Sequence, residues 1–323
     1  MPPIFDIADP SEFSEMALDI FAHQCKGNAV YGAFCKHLGK SPQNVANLED
    51  IPFLPIEFFK SKTIVTGSGR PQVTFTSSGT TGHQTSQHHV TDPTLYKTSF
   101  SKGFERFYGP VTNYCILALL PSYLERSGSS LIYMMNDLIR ESGHPKSGFY
   151  LDNLDQLAHT LQVLETQKTK TLLIGVSFAL LDFAEKYPCK LQHTIVMETG
   201  GMKGKRRELV REELHAILKS GLGVRTIHSE YGMTELLSQA YSTGDGLFNT
   251  PPWMKVLVRD TEDPLSYLPT KKTGGLNIID LANKNSCSFV ATQDLGKLHP
   301  DGRFEILGRY DHSDIRGCNL LVL

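Results

Sequence analysis

Three short apolar runs, separated by stretches of helical spacing, narrow what this chain can fold into. They occupy residues 114–120, 171–176 and 194–197 and contain almost no charged side chains. A run of that length, without polar residues at alternate positions, reads as a strand covered on both faces. Between and around them, residues 93–107, 130–140, 154–165, 178–185 and 206–219 place apolar side chains at the 3.6-residue period of a helix. Strand and helix in this rhythm build βαβ units, so the expected class is α/β with a largely parallel sheet.

The N-terminal segment opens as a helix. Asp9 is placed to cap, Pro10 suits the first helical position and Glu12 completes a capping box. Phe13, Met16, Ala17, Ile20 and Phe21 then recur on one face, and a second helical stretch carries Tyr31, Phe34 and Leu38. In Ile51-Pro52-Phe53-Leu54-Pro55-Ile56, two prolines forbid a regular helix and leave an extended, packed strap. After about Gly244 the chain turns to proline, glycine and β-branched residues, and this part is more β than α. No repeat or flexible linker interrupts it. The expectation is one domain over residues 1–323, with a helical strap at 1–70, an α/β region at 71–243 and a β-rich region at 244–323 ending in a mobile tail.

Composition removes several function classes. Lys and Arg number 32 against 34 Asp and Glu, so bulk charge does not hold this chain to nucleic acid or anionic lipid. Hydrophobic residues at 40% supply a packed core. The start, Met1-Pro2-Pro3-Ile4-Phe5-Asp6, does not read as a secretory signal. The longest apolar run falls well short of the roughly 20 residues that insertion across a bilayer takes. Six cysteines (Cys25, Cys35, Cys115, Cys189, Cys287 and Cys318) are scattered without the close pairing of a zinc site. A cytoplasmic protein with free thiols is expected.

The stretch with most chemical content is Val73-Thr74-Phe75 running into Thr76-Ser77-Ser78-Gly79-Thr80-Thr81-Gly82. Glycines let backbone N–H groups turn toward an anion, and hydroxyls add donors, so the loop suits polyphosphate. It is not a P-loop, because no lysine follows in place, and no GxGxxG follows a strand elsewhere. On composition alone an ordinary surface loop accounts for it equally well.

The order Thr-Ser-Ser-Gly-Thr-Thr-Gly resembles the phosphate loop of the adenylate-forming superfamily, which includes acyl-CoA synthetases and luciferases. Three further segments follow in that superfamily's order. Glu198-Thr199-Gly200-Gly201-Met202 stands where a glycine pair lies against adenine. Tyr231-Gly232-Met233-Thr234-Glu235 matches the Tyr-Gly-x-Thr-Glu motif. There the resemblance implies that the tyrosine packs on adenine, the threonine contacts phosphate and the glutamate holds Mg²⁺, a hard cation suited to carboxylate oxygen. Gln293-Asp294-Leu295-Gly296 stands where an aspartate binds the ribose, and Gly308-Arg309-Tyr310-Asp311 resembles the hinge segment whose arginine touches the ribose. The implied fold is an adenylate-forming N-terminal domain with a parallel βαβ sheet and a β-rich C-terminal part.

Finer detail is similar to LuxE-type acyl-protein synthetases. It lies in Phe75 to Gly79, Pro121-Ser122-Tyr123-Leu124-Glu125-Arg126 with Gly128-Ser129-Ser130-Leu131, Glu198 to Gly204 and Glu230 to Glu235. That resemblance covers most of the chain. It implies ATP-dependent activation of a long-chain fatty acid to acyl-AMP, transfer to the enzyme's own cysteine, and delivery to a LuxC-like acyl reductase subunit. Cys318, in Arg316-Gly317-Cys318-Asn319-Leu320, fits the acylated thiol near a flexible C-terminus. The implied catalytic residues are Cys318, Thr80 and Glu235, with Glu235 the metal ligand. The implied nucleotide set is Thr76 to Gly82, Gly200, Gly201, Tyr231 to Thr234, Asp294 and Arg309.

One departure is expected. The superfamily continues past the hinge into a further domain carrying a catalytic lysine, and here no such lysine is assigned. Lys203 and Lys205 are candidates to replace its charge, although surface roles account for them better. His83, His88 and His89 are candidates to assist at phosphate or acid, and Tyr123, Arg126 and Ser127 to line the acyl site. Two other readings stand beside the synthetase: a CoA ligase of phenylacetate-ligase type, and a non-catalytic scaffold of a reductase complex.

Overall fold

The computed structural model describes residues 4–77, 85–121, 128–151, 153–200 and 209–309. The chain divides into two compact units, residues 70–251 and residues 1–69 with 252–323. The helical strap and the β-rich segment, far apart in sequence, thus belong to one unit.

The 70–251 unit is built on a sheet. Its parallel strands run in the order Gly148–Phe149, Cys115–Leu119, Thr171–Val176, Thr194–Thr199, His228–Tyr231, and Ala240–Ser242 closes the edge antiparallel to the last. All residues of Cys115–Leu119 and Thr171–Val176 are buried, which is why these strands appear as unbroken apolar runs. The connecting helices are Ser130–Ser142, Leu154–Thr166, Ser177–Lys186 and Arg211–Leu222, with Pro93–Tyr108 preceding the sheet. Polar residues start three of them. Asp92 accepts the Thr94 N–H at 3.0 Å, Ser129 that of Ile132 at 3.3 Å and Asn153 that of Gln156 at 3.0 Å. The last helix starts at Arg211, later than its apolar spacing predicts. Val210 offers it no side-chain cap, while Glu212 and Glu213 bring negative charge to its positive end. The strand at 194 runs two residues beyond its apolar stretch, because Glu198 and Thr199 pair with Ser229 and Glu230. A separate hairpin pairs Val73–Thr76 with Gln87–Val90.

In the other unit, Met254–Arg259, Thr273–Asp280, Phe289–Leu298 and Phe304–Arg309 pair antiparallel in succession. The strap contributes Leu54–Pro55, which runs parallel to Val290 and Ala291. Helix Pro10–Gly27 starts as its sequence predicts: Asp9 accepts from the N–H groups of Ser11 and Glu12 at 2.8 and 3.0 Å. Glu12 reaches back to Ala8 at 2.8 Å. Phe21, Tyr31, Phe53 and Phe289 form one aromatic cluster, with Tyr31 and Phe289 stacked at 5.9 Å.

Buried Gln24 joins the helix to the sheet. Its amide donates to the carbonyls of Asn283 and Lys284 at 3.2 and 3.0 Å and accepts the Ser288 N–H at 3.0 Å. Gln24→Ala strands those backbone groups without a donor or acceptor, so it is expected to cost about 2–4 kcal/mol of stability, read as a fall in the denaturant midpoint. Among the described residues, no helix is long and apolar enough to cross a membrane.

Candidate functional site

The phosphate-loop motif hangs from the hairpin. Thr76 ends its first strand, and the hairpin closes where Ser77 and Ser86 exchange bonds: the Ser77 N–H donates to the Ser86 carbonyl at 3.1 Å and the Ser86 N–H to Ser77 Oγ at 2.9 Å. Ser78, Gly79, Thr80, Thr81, Gly82 and His83 lie outside the described residues, but both of their anchor points are placed. The Thr76 N–H donates to the Gly128 carbonyl at 2.8 Å, which ties the hairpin to the segment leaving Cys115–Leu119. On the second strand, His88 is fully buried and its Nδ1 lies 2.8 Å from the Thr234 carbonyl. A carbonyl only accepts, so the ring donates from Nδ1. His88 therefore fastens the hairpin to the Tyr-Gly-Met-Thr-Glu loop. His89 Nδ1 lies 3.0 Å from Thr74 Oγ1.

The Gly200 turn and the Tyr231-Gly232 turn meet at the carboxyl end of the sheet, where open α/β folds place their ligands. Thr199 and Glu230 are register partners on adjacent parallel strands, so Gly200 and Tyr231-Gly232 emerge side by side. Gly200 turns with φ +68°, a conformation that favours glycine. The Ser177 hydroxyl donates to the Gly200 carbonyl at 2.7 Å and holds that turn. Tyr231 is largely buried and meets Phe248 edge-on at 6.0 Å. Met233 and Thr234 are half-buried, and Glu235 is buried beyond them. Gly201, Lys203, Lys205, Tyr123, Arg126 and Ser127 lie outside the described residues.

Beneath these turns is a charged cluster that the motifs do not reveal. Glu198 and Glu230 are both buried. Glu198 Oε1 stands 3.7 Å from Arg211 Nε and 3.7 Å from His215 Nε2. Glu230 accepts a hydrogen bond from the Thr199 hydroxyl, yet burial, with the Glu198 charge beside it, lifts its carboxyl to about 7. The signal available in sequence was a glutamate at the end of an apolar strand and another beside the motif tyrosine.

Asp294 and Arg309 lie in the other unit as cross-strand partners, Arg309 Nε standing 3.4 Å from Asp294 Oδ1. The aspartate is nearly buried and the arginine exposed. The Asp294 N–H donates to Thr292 Oγ1 at 3.1 Å, which fixes the strand at that point. Cys318 lies outside the described residues. Among the five thiols that are described, burial pushes Cys115, Cys189 and Cys287 up, Cys287 to about 12. Cys35 is raised by its bond with Cys25 and by burial, while that same bond draws Cys25 down.

The family described as acyl-protein synthetase, LuxE, matches residues 9–323. The chain belongs to that family. It is 22% identical over 337 residues to the long-chain-fatty-acid--luciferin-component ligase of Vibrio harveyi, covering 95% of this chain and 86% of that protein. Among solved structures, 2-hydroxyisobutyryl-CoA ligase in complex with 2-HIB-AMP superposes with a TM-score of 0.66 at 12% identity, covering 93% of this chain and 68% of that one. ATP-bound MatB from Rhodopseudomonas palustris gives a TM-score of 0.54 at 17% identity, over 86% and 56% of the two chains. The chain spans little more than half the length of MatB. These likenesses establish an adenylate-forming fold, with its parallel sheet and β-rich C-terminal part. Membership of this family makes the protein a ligase, built on that fold.

Proposed function

We propose that this LuxE-family ligase uses ATP to activate a long-chain fatty acid as acyl-AMP. It then moves the acyl group to the thiol of Cys318 for delivery to an acyl reductase partner in the cytoplasm. In this reading residues 1–323 work as one adenylate-forming domain. The observation that carries the reading is the bond from His88 to the Thr234 carbonyl. It holds the hairpin strand Gln87–Val90 against the Tyr-Gly-Met-Thr-Glu segment, which supports reading the two motifs as parts of one nucleotide site.

In the first step a carboxylate oxygen of the fatty acid attacks the α-phosphorus of ATP, and pyrophosphate leaves. Both reactants are anionic, so N–H groups and hydroxyls of residues 76–82, Thr80 among them as a catalytic residue, offset the repulsion. Tyr231 packs on the adenine that the Gly200-Gly201 turn admits, Gly232 to Thr234 line the phosphates, and Asp294 with Arg309 hold the ribose. No group of three His, Cys, Asp or Glu side chains among the described residues makes a dedicated metal cage. Mg²⁺ is commonly held by one or two carboxylates together with substrate phosphates, and buried Glu235 suits that donor set. Bound there, Mg²⁺ supplies charge neutralisation at the phosphates. In the second step the Cys318 thiolate attacks the acyl carbonyl, forming the C–S bond as the bond to AMP breaks.

The test is to incubate the protein with ATP, Mg²⁺ and labelled fatty acids. Acid-dependent exchange of pyrophosphate into ATP, together with hydroxylamine-labile label on the protein, is expected. Rapid acyl-CoA formation without protein label would instead favour the CoA ligase reading, which the superposition on 2-hydroxyisobutyryl-CoA ligase keeps in view. No exchange with any acid would favour a scaffold.

A further inference from the structure

Two carboxyl groups lie buried behind the purine-side turns, and the reaction proposed above uses neither. Glu198 is 5% exposed and Glu230 8%, on adjacent parallel strands. A buried carboxyl group costs stability unless its bonds compensate, so the pair calls for a physical account. Their surroundings differ. Glu198 faces Arg211 and His215 from helix Arg211–Leu222, with the Ser177 hydroxyl 3.3 Å from its Oε2. Glu230 takes the Thr199 hydroxyl, and a methyl group added at Gly232 would come within 2.5 Å of its Oε1. The other titratable groups facing Glu230 are Glu198 and the phenols of Tyr96, Tyr108 and Tyr241. Burial holds all three phenols well above neutrality, so they stay uncharged.

We propose that Glu230 is a positioning residue for nucleotide binding: tied to Thr199 and lodged under Gly232, its side chain sets the spacing between the Gly200 turn and the Tyr231-Gly232 turn. The inference rests on those turns being the purine site. One carboxylate oxygen of Glu230 faces each turn, Oε2 toward Thr199 on one strand and Oε1 toward Gly232 on the other. Among the described residues, the charge acting on Glu230 is that of Glu198, and the Arg211 guanidinium stands beside Glu198. When Glu230 is neutral the two strands' ends sit together. When it ionises, two anions on neighbouring strands repel across the turns and also oppose an incoming polyphosphate. Burial lifts this carboxyl to about 7, so the change falls between pH 6 and 8.

The experiment measures the dissociation constant of ATP for the full chain and for Glu230→Gln between pH 6 and 8. The amide keeps the shape and an acceptor for Thr199 but cannot ionise. Protonation of ATP itself is common to both proteins and cancels in the ratio of the two constants. The parental protein is expected to match Glu230→Gln at pH 6 and to bind ATP about threefold or more weakly than it at pH 8. Glu230→Ala, which removes the link to Thr199, is expected to weaken binding about tenfold at pH 6. Melting temperatures check that both variants fold; should Glu230→Ala not fold, the Glu230→Gln ratio decides alone. A ratio that stays flat across the range overturns the positioning role while leaving the nucleotide site standing. A parental protein that binds no ATP overturns both.

Discussion

Cys318→Ser is expected to abolish hydroxylamine-labile acyl label on the protein while acid-dependent pyrophosphate exchange continues near the parental rate. Exchange reports the first step alone, in which acyl-AMP forms and reverts, and that step needs no thiol. The label reports the second step, in which a thiolate must displace AMP. A thiol near 8.5 is partly ionised at neutral pH, whereas a serine hydroxyl is not and cannot substitute without a base. The described thiols give the contrast. Cys115, Cys189 and Cys287 are pushed up by burial, and a buried thiol of about 12 supplies almost no thiolate. Cys25 alone is drawn down, by its bond with Cys35, and is half-exposed. It is the internal control: Cys25→Ser is expected to keep full label. Label that survives Cys318→Ser and disappears in Cys25→Ser would move acyl carriage to the N-terminal helices.

What the chain reveals before folding depends on how local each feature is. Cys115–Leu119 and Thr171–Val176 are legible because strands covered on both faces must be apolar throughout. His228–Tyr231 is not, since its His-Ser-Glu-Tyr composition has no strand pattern and it is held by its neighbours in the sheet. Union of the N-terminal helices with the C-terminal sheet is equally invisible. It rests on contacts such as Gln24 with Asn283, 259 residues apart, which no window of sequence contains. The family was legible through the order of its motifs along the chain. The Glu198–Glu230 pair was not, because it exists only once Thr199 and Glu230 fall into register. His88 shows both sides: the sequence sets a histidine near the loop, but its attachment to Thr234 is a product of the fold.

Glu235→Ala is expected to cut acid-dependent pyrophosphate exchange by about two orders of magnitude or more, with little loss of ATP affinity measured without metal. Adenylation brings a carboxylate toward a polyphosphate, so the charge to be offset is greatest as the new bond forms. A single carboxylate that anchors Mg²⁺ acts chiefly there, and its removal appears in the rate more than in nucleotide binding. Position supports the same split. Glu235 follows the Tyr231–Thr234 segment into the buried end of its loop, while Thr234, just before it, is held by His88 from the phosphate-loop hairpin. Unchanged metal-free ATP affinity in the variant is the check that the Tyr231–Thr234 segment and its tie to His88 keep their places. Glu235→Asp keeps the oxygen chemistry with a shorter reach, and raising Mg²⁺ is expected to restore part of its exchange but none of that of Glu235→Ala. Near-parental exchange by Glu235→Ala at limiting Mg²⁺ would remove the metal role from this residue and leave it a buried structural acid.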